Sequence, residues 1–536
     1  MSKGSKSFIK GAAVLAVSGI VCRVLGAATR IPLSNLIGQA GMGAYQMVYP
    51  VYSLLLVVSS SGLPIAISRL VSEKMAGGDL AGARNVLNVA LPALSILGAA
   101  LGAGLFLLGD AVAGWLGLLE SGPAFRVVAP SLLLVSAVSA YRGYFQGTQR
   151  MSPTAVSQLI EQLCKMAVGL YFAAKWAPMG PAMGAAGAMM GVTVSEGAAL
   201  LVMVICHRRE TARRRLIKRR MPPGAGRQLL EQIFRIALPV TAGSCVVPLV
   251  SAVDSAMVMR VLTSSGHSAQ AASSLFGLLT GFVQPIVHLP AVLSGSVAIS
   301  LVPAIAAARV GKNRTLLEYE TSLALRTGIL LGLPCMVGLY ILAEPLLAVL
   351  YGSLSPSELA RAASLMRLSC PGVLFLCVTQ VSTGALQGLG RTGAPVLNMV
   401  LASVAKVLVG VALIRIPSVN IAGAAMGTNL CFALSAVLDV AAALETGGLR
   451  WQTGSMLLRP LLAAGGMALG VAAIYNALTG ASRGVAVAAA ILAGVLIYGI
   501  LLLVFRAIGP EDLHHLPGGG KLLIWLGQGK GRKKKC

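Results

Sequence analysis

Uncharged apolar runs long enough to cross a bilayer recur along almost the whole of this 536-residue chain. A spanning helix needs about 20 such residues, and in lipid only helices or closed barrels satisfy their own backbone polar groups. Runs of this length therefore leave an all-α polytopic bundle as the fold class. They lie near residues 8–28, 45–68, 85–108, 124–145, 153–174, 184–206, 233–262, 275–308, 321–343, 362–387, 394–414, 421–444, 457–478 and 484–505, about 14 transmembrane helices in all. Composition agrees: 56% of residues are hydrophobic and 11% charged, whereas a soluble domain carries about 25% charged residues. The first run follows Lys3, Lys6 and Lys10, as in a signal peptide. It continues through Arg23 to Arg30 without a small-residue cleavage site and reads as a retained first span.

The net charge of +26 raises nucleic acid as a partner, but aromatics are only 5% and the basic residues cluster between apolar runs. No solvated, aromatic-studded basic face is available, so nucleic acid is excluded. The same clustering sets orientation, because cytoplasmic loops retain Lys and Arg. With the N-terminus inside, 31 basic residues fall on the cytoplasmic side and six on the other. Both termini are therefore expected in the cytoplasm. The most basic stretch, His207 to Arg220, and the tail Lys530 to Lys535 read as topology determinants on solvated segments, with contact to anionic membrane lipids as the alternative. The tail reads as disordered. Nine cysteines are scattered singly with no metal-ligand spacing. The seventh and eighth runs are over-long and hold Pro239 and Pro248, then Pro285 and Pro290. They are candidates for bent, cavity-lining helices.

The halves repeat. Gln146-Gly147-x-x-Arg150 recurs as Gln387-Gly388-x-x-Arg391, and Lys165-x-x-Val168-Gly169 as Lys406-x-x-Val409-Gly410, both at a shift of 241. Ala186-Gly187-Ala188-x-Met190-Gly191 matches Ala422-Gly423-Ala424-x-Met426-Gly427, and Ala66-Ile67-Ser68 matches Ala298-Ile299-Ser300. Each repeat holds six spans, an even number, so the two six-helix lobes are expected to be related by a pseudo-two-fold axis along the membrane normal, an architecture of alternating-access transporters. The organisation expected is an N-terminal lobe (1–206), a basic cytoplasmic inter-lobe loop (207–232), a C-terminal lobe (233–445), two appended C-terminal helices (446–507) and a basic cytoplasmic tail (508–536).

Ionisable groups inside a bilayer cost roughly 2.5–3.5 kcal/mol each on insertion scales, so each needs a partner or a wet cavity. Here they are Arg23, Glu161, Lys165, Glu196, Asp254, Arg260, Arg326, Arg367, Lys406 and Asp439. Arg23, with Arg30 two turns later, and Arg260, late in span seven, reach similar depths in the two repeats, as a cationic cavity for an anionic head group would require. Snorkelling to the outer interface is the alternative. Glu161 and Lys165, spaced i,i+4, read first as a structural charge pair and second as an ion site. Lys406 has Ala402 where the first half has Glu161; it either finds a partner or faces the cavity. Asp254 and Glu196 are the candidates for a coupling Na+ or H+. No HExxH, GxSxG or phosphate-loop motif is present, so an enzyme is not expected, nor any catalytic residue, metal site or cofactor.

Arg23-Val-Leu-Gly26, Arg30-Ile-Pro-Leu33, Gly41-x-Gly43-x-Tyr45, Tyr49-Pro50-x-Tyr52 and Gly62-Leu-Pro-x-Ala-Ile-Ser68-Arg69 resemble the stage V sporulation protein B group. That group lies in the polysaccharide-transporter branch of the multidrug/oligosaccharidyl-lipid/polysaccharide (MOP) superfamily, alongside MATE-like transporters and MurJ-type lipid II flippases. The resemblance implies an alternating-access flippase of undecaprenyl-linked saccharides, such as a peptidoglycan precursor, in the bacterial cytoplasmic membrane. It also implies arginines of the first helices lining a cationic cavity, where Arg23 matches by motif and Arg260 by region, and a lipid-tail groove formed by the last two helices. Cell-wall synthesis proteins are further partners it implies. A multidrug or cation antiporter of the same fold, or a non-transporting membrane scaffold in cell-wall or spore-cortex synthesis, are the alternatives; transport would run on an ion gradient or the membrane potential.

Overall fold

The computed structural model describes residues 3–214, 224–311, 313–448, 454–478, 480 and 482–507. Residues 215–220 of the basic stretch and the whole tail from 508 lie outside them. The chain folds into α1 (Lys3–Ser60), α2 (Gly62–Ala76), α3 (Leu80–Leu116), α4 (Gly122–Val128), α5 (Ser131–Gly147), α6 (Met151–Trp176), α7 (Pro181–Arg214), α8 (Ala225–Ser264) and α9 (Ala269–Gly277). A π-helical turn, Leu278–Val283, then leads to α10 (Gln284–Val287), α11 (Leu289–Val310), α12 (Arg314–Ile341), α13 (Ala343–Leu350) and α14 (Pro356–Gly388). The last four helices are α15 (Ala394–Ile414), α16 (Ala422–Gly447), α17 (Arg459–Ala477) and α18 (Arg483–Val504).

Among the described residues, 13 segments are long and apolar enough to span a membrane. The first, Val17–Ala76, is 60 residues, about 90 Å at 1.5 Å per residue, and so makes two crossings. Gly38 divides them, at φ 66° and ψ −172°, a conformation that glycine adopts without a Cβ clash. Ala269–Val287 and Leu289–Val310 are separated by His288 alone, at φ −88° and ψ −9°, a link too short for a loop, and count as one crossing. Met151–Trp176 adds one more at 26 residues, its hydropathy diluted by Glu161, Lys165 and Lys175. Among the described residues the crossings therefore number fourteen, in an all-α membrane fold.

The eighth crossing is interrupted at the π-turn Leu278–Val283, just before Pro285, and at His288, between Pro285 and Pro290. The seventh, α8, runs as one helix of 40 residues through Pro239 and Pro248. The second crossing also breaks, at Ser61 before Gly62, with no proline in its first arm other than Pro50.

Two compact units form. One comprises Met1–Pro285, Tyr351–Ser355 and Val409–Ala424, the other Ile286–Leu350, Pro356–Leu408 and Ala425–Cys536. The first unit has a core of Leu63, Ile67, Leu87, Leu94, Phe145 and Met203. In the second, α17 and α18 pack on α12 through Leu333, Met467 and Tyr498, whose hydroxyl donates to the Leu330 carbonyl at 3.1 Å.

The repeated residues make matching contacts in each repeat. A methyl at Gly143 would stand 2.8 Å from Ile67 Cβ, and one at Gly147 2.6 Å from Val71 Cβ. At the 241-residue shift, a methyl at Gly384 would stand 2.9 Å from Ala298 Cβ and one at Gly388 2.8 Å from Ile305 Cβ. These are small-xxx-small seams that let helix backbones approach closely, the main packing device in lipid. The arginine of each Gln-Gly-x-x-Arg motif then ties down a distant helix end. Arg150 pairs with Glu210 of α7 at 3.4 Å, and Arg391 with Glu445 of α16 at 3.7 Å. A methyl at Gly187 would strike the Phe172 carbonyl, and one at Gly423 would stand 2.7 Å from the Ile414 amide nitrogen, against the neighbouring α6 and α15 respectively.

Candidate functional site

Four crossings of the first unit bring charge together. On α6, Glu161 and Lys165 share a face one turn apart, with Lys165 Nζ 3.5 Å from Glu161 Oε1. The other oxygen, Oε2, accepts from Arg142 Nη2 of α5 at 2.8 Å. Arg142 is fixed further by Ser157 of α6, whose Oγ lies 3.2 Å from both Nε and Nη2. The side chains of Arg142, Glu161 and Lys165 are 16%, 17% and 28% exposed, so the triad is neither solvated nor sealed. Charge-assisted bonds of this kind are the strong ones at low dielectric.

Glu196 of α7 is 3% exposed. It lies within electrostatic range of Glu161, Lys165 and Arg142, and among the described residues its Oε2 has no hydrogen-bond partner. The first arm of α1 runs against α6: Cys22 Sγ donates to the Gln158 carbonyl at 3.5 Å, and a methyl at Gly26 would stand 3.3 Å from Gln162 Nε2. Arg23, between those contacts in sequence, is exposed, and Arg30, two turns on, is partly buried. Arg30 lies within electrostatic range of Tyr45 on the second arm of α1, as does Lys165. Four cations, Arg23, Arg30, Arg142 and Lys165, thus stand on these helices with two carboxylates, Glu161 and Glu196. The excess is positive, which suits an anion with several oxygens.

Arg260 is placed otherwise. Its Nε and Nη2 donate to the Trp115 carbonyl at 2.9 and 2.6 Å, and its guanidinium lies 4.9 Å from the centre of the Trp115 ring. It holds the C-terminal end of α3, where a cation complements both the open carbonyls and the helix dipole. Asp254 sits partly buried on the same helix, six residues earlier. Among the described residues, the bonds of Arg260 go to the end of α3 and not to the Arg142–Glu161–Lys165 cluster.

Lys406 lies partly buried on α15 in the second unit. There the polar centre is Asp439 of α16, fully buried, which accepts from Asn398 Nδ2 at 2.8 Å and from Thr383 Oγ1 at 3.3 Å. At the shift of 241, Thr383 corresponds to Arg142, Asn398 to Ser157, Ala402 to Glu161 and Lys406 to Lys165. Each repeat therefore ties corresponding helices together through a carboxylate: the partly buried Glu161 of α6 joins α5 to α6 with ionic partners, and the fully buried Asp439 of α16 joins α14 and α15 with neutral ones. Arg142 escaped the sequence reading because it sits one turn from the end of its run and counts as a loop cation.

The chain matches the family described as Polysaccharide biosynthesis protein over residues 8–309, and the MatE family over residues 239–412. It is 29% identical to Stage V sporulation protein B of Bacillus subtilis (strain 168) over 525 residues, covering 97% of this chain and 99% of that protein. It is 26% identical to Lipid II flippase MurJ of the same organism over 456 residues, covering 80% of this chain and 81% of that protein. Among solved structures, the lipid II flippase MurJ in an inward closed conformation superposes with a TM-score of 0.66 at 15% identity, covering 94% of this chain and 100% of that one. With its family match spanning more than half of the sequence and its fold shared with these transporters, the chain belongs to the polysaccharide biosynthesis protein family of the MOP superfamily.

Proposed function

We propose that this protein is an alternating-access flippase that carries a lipid-linked saccharide, with an undecaprenyl pyrophosphate carrier, across the cytoplasmic membrane. The observation that carries the reading is the cationic excess on α1, α5 and α6 around the Arg142–Glu161–Lys165 triad. A pyrophosphate drawn into the bilayer loses its hydration and needs several donors in return. Arg23 and Arg30 are the residues for it, since they are held by no partner in the cluster, while Arg142 and Glu161 keep Lys165 in place beside them. The likeness to a protein named lipid II flippase supports a substrate of this class.

Both termini lie in the cytoplasm on this reading, following the 31-to-6 division of basic residues. The basic segment after α7 meets anionic lipid at the inner leaflet. Glu196, buried beside the triad, is the group for a coupling proton or cation, and the membrane potential is the other source of drive.

Complementation tests the reading. In cells depleted of their own flippase, Arg23→Ala is expected to insert to the wild-type level and to give at least a tenfold loss of rescue. Full rescue by that variant removes the cationic cavity from the mechanism.

A further inference from the structure

Tyr45, Tyr49 and Tyr52 line the second arm of α1 one turn apart. The rings of Tyr45 and Tyr49 stack at 5.9 Å between centroids with 22° between their planes, and both are partly exposed. Tyr52 backs them, edge-on to Tyr49 at 6.4 Å and 2% exposed. Tyrosine in membrane proteins is ordinarily a girdle residue at the interface. Tyr49 is instead about 16 Å along its crossing from Gly38, at 1.5 Å per residue. Its neighbours are not aliphatic only: Lys165 is within electrostatic range of Tyr45 and Tyr49.

The repeat shows that packing does not demand these rings. At the shift of 232 that aligns Ala66-Ile67-Ser68 with Ala298-Ile299-Ser300, Tyr45 corresponds to Gly277 and Tyr49 to Gly281. In that copy there is no room for a side chain: a methyl at Gly277 would strike the Gln39 carbonyl, and one at Gly281 would stand 2.7 Å from Met42 Cβ. Two stacked rings beside a partly buried lysine are thus a property of one repeat, as the Arg142–Glu161–Lys165 triad is.

A pyranose presents an apolar C–H face that stacks on an aromatic ring, and hydroxyls at its edge that bond to charged groups. A phosphate-bearing sugar needs both chemistries side by side. We propose that Tyr45 and Tyr49 form a sugar platform, on which the first glycosyl ring of the substrate stacks while the adjoining cations hold its pyrophosphate. This rests on the flippase reading above and narrows it, because it makes the glycan itself a recognised part of the substrate.

Binding of two probe lipids to the full-length protein in nanodiscs tests it: undecaprenyl pyrophosphate, and the same lipid bearing one N-acetylhexosamine, with a zwitterionic phospholipid as reference. Tyr49→Leu is expected to weaken the glycosylated lipid by about tenfold and to leave the bare pyrophosphate unchanged; Tyr49→Phe, which keeps the ring, is expected to bind both as wild type does. The unchanged binding of the bare lipid also reports an intact fold. Equal weakening of both lipids by Tyr49→Leu, or no weakening of either, overturns the platform, as does a Phe variant that behaves like Leu. Wild-type protein that prefers neither pyrophosphate lipid to the phospholipid overturns the flippase reading beneath it.

Discussion

Glu161 accepts from Arg142 through one carboxylate oxygen and lies near Lys165 through the other, which makes it the residue on which the cluster depends. Removing one partner of a mostly buried ionic group leaves the others uncompensated, at about 3–5 kcal/mol. Glu161→Ala is expected to lower the thermal unfolding midpoint in detergent markedly, and Arg142→Ala added to it is expected to recover part of that loss. Strictly additive losses would mean that the two groups do not interact. At this scale the i,i+4 spacing made Glu161 and Lys165 legible in the sequence. The third member was hidden, because Arg142 comes from another helix and only tertiary packing brings it within 2.8 Å. Arg260 shows the converse: its depth along α8 is plain from sequence, while its bonding to the Trp115 carbonyl depends on where α3 ends.

Helices meet here through glycine. Gly147 and Gly388 close the same seam in the two repeats, each so near a neighbouring helix that an added methyl would stand 2.6 and 2.8 Å, respectively, from its Cβ. Gly147→Leu and Gly388→Leu are each expected to destabilise by about 1–3 kcal/mol through overpacking, read as lower unfolding midpoints of similar size; an effect at one position only would contradict the equivalence of the seams. Arg391→Ala is expected to change stability by less than about 1 kcal/mol, since its pair with Glu445 is half exposed and screened. The repeat was visible in the sequence because these seams constrain residue type. The kink at Gly38 and the break at Ser61 were not, because hydropathy reports burial in lipid and is blind to φ and ψ. Prolines did mark the eighth crossing, where the helix is interrupted, but α8 carries two without interruption.

Fourteen crossings could be counted from apolar length alone, since lipid admits so few backbone solutions. The charge split predicts which side each loop occupies: a reporter enzyme active only outside the cytoplasm is expected to be inactive when fused after Arg214 and active when fused after Trp176. The reverse pattern would invert the topology. What moves across the membrane is less legible, because four cations and two carboxylates in one unit define a charge and not a molecule. The decisive measurement is translocation of a labelled undecaprenyl-pyrophosphate saccharide in proteoliposomes, with and without an imposed potential. The purified protein is expected to move the lipid well above the rate of protein-free vesicles, and Arg23→Ala to fall back to that rate. Translocation no faster than in empty vesicles, or undiminished in Arg23→Ala, would contradict a cationic cavity that carries a pyrophosphate-linked glycan.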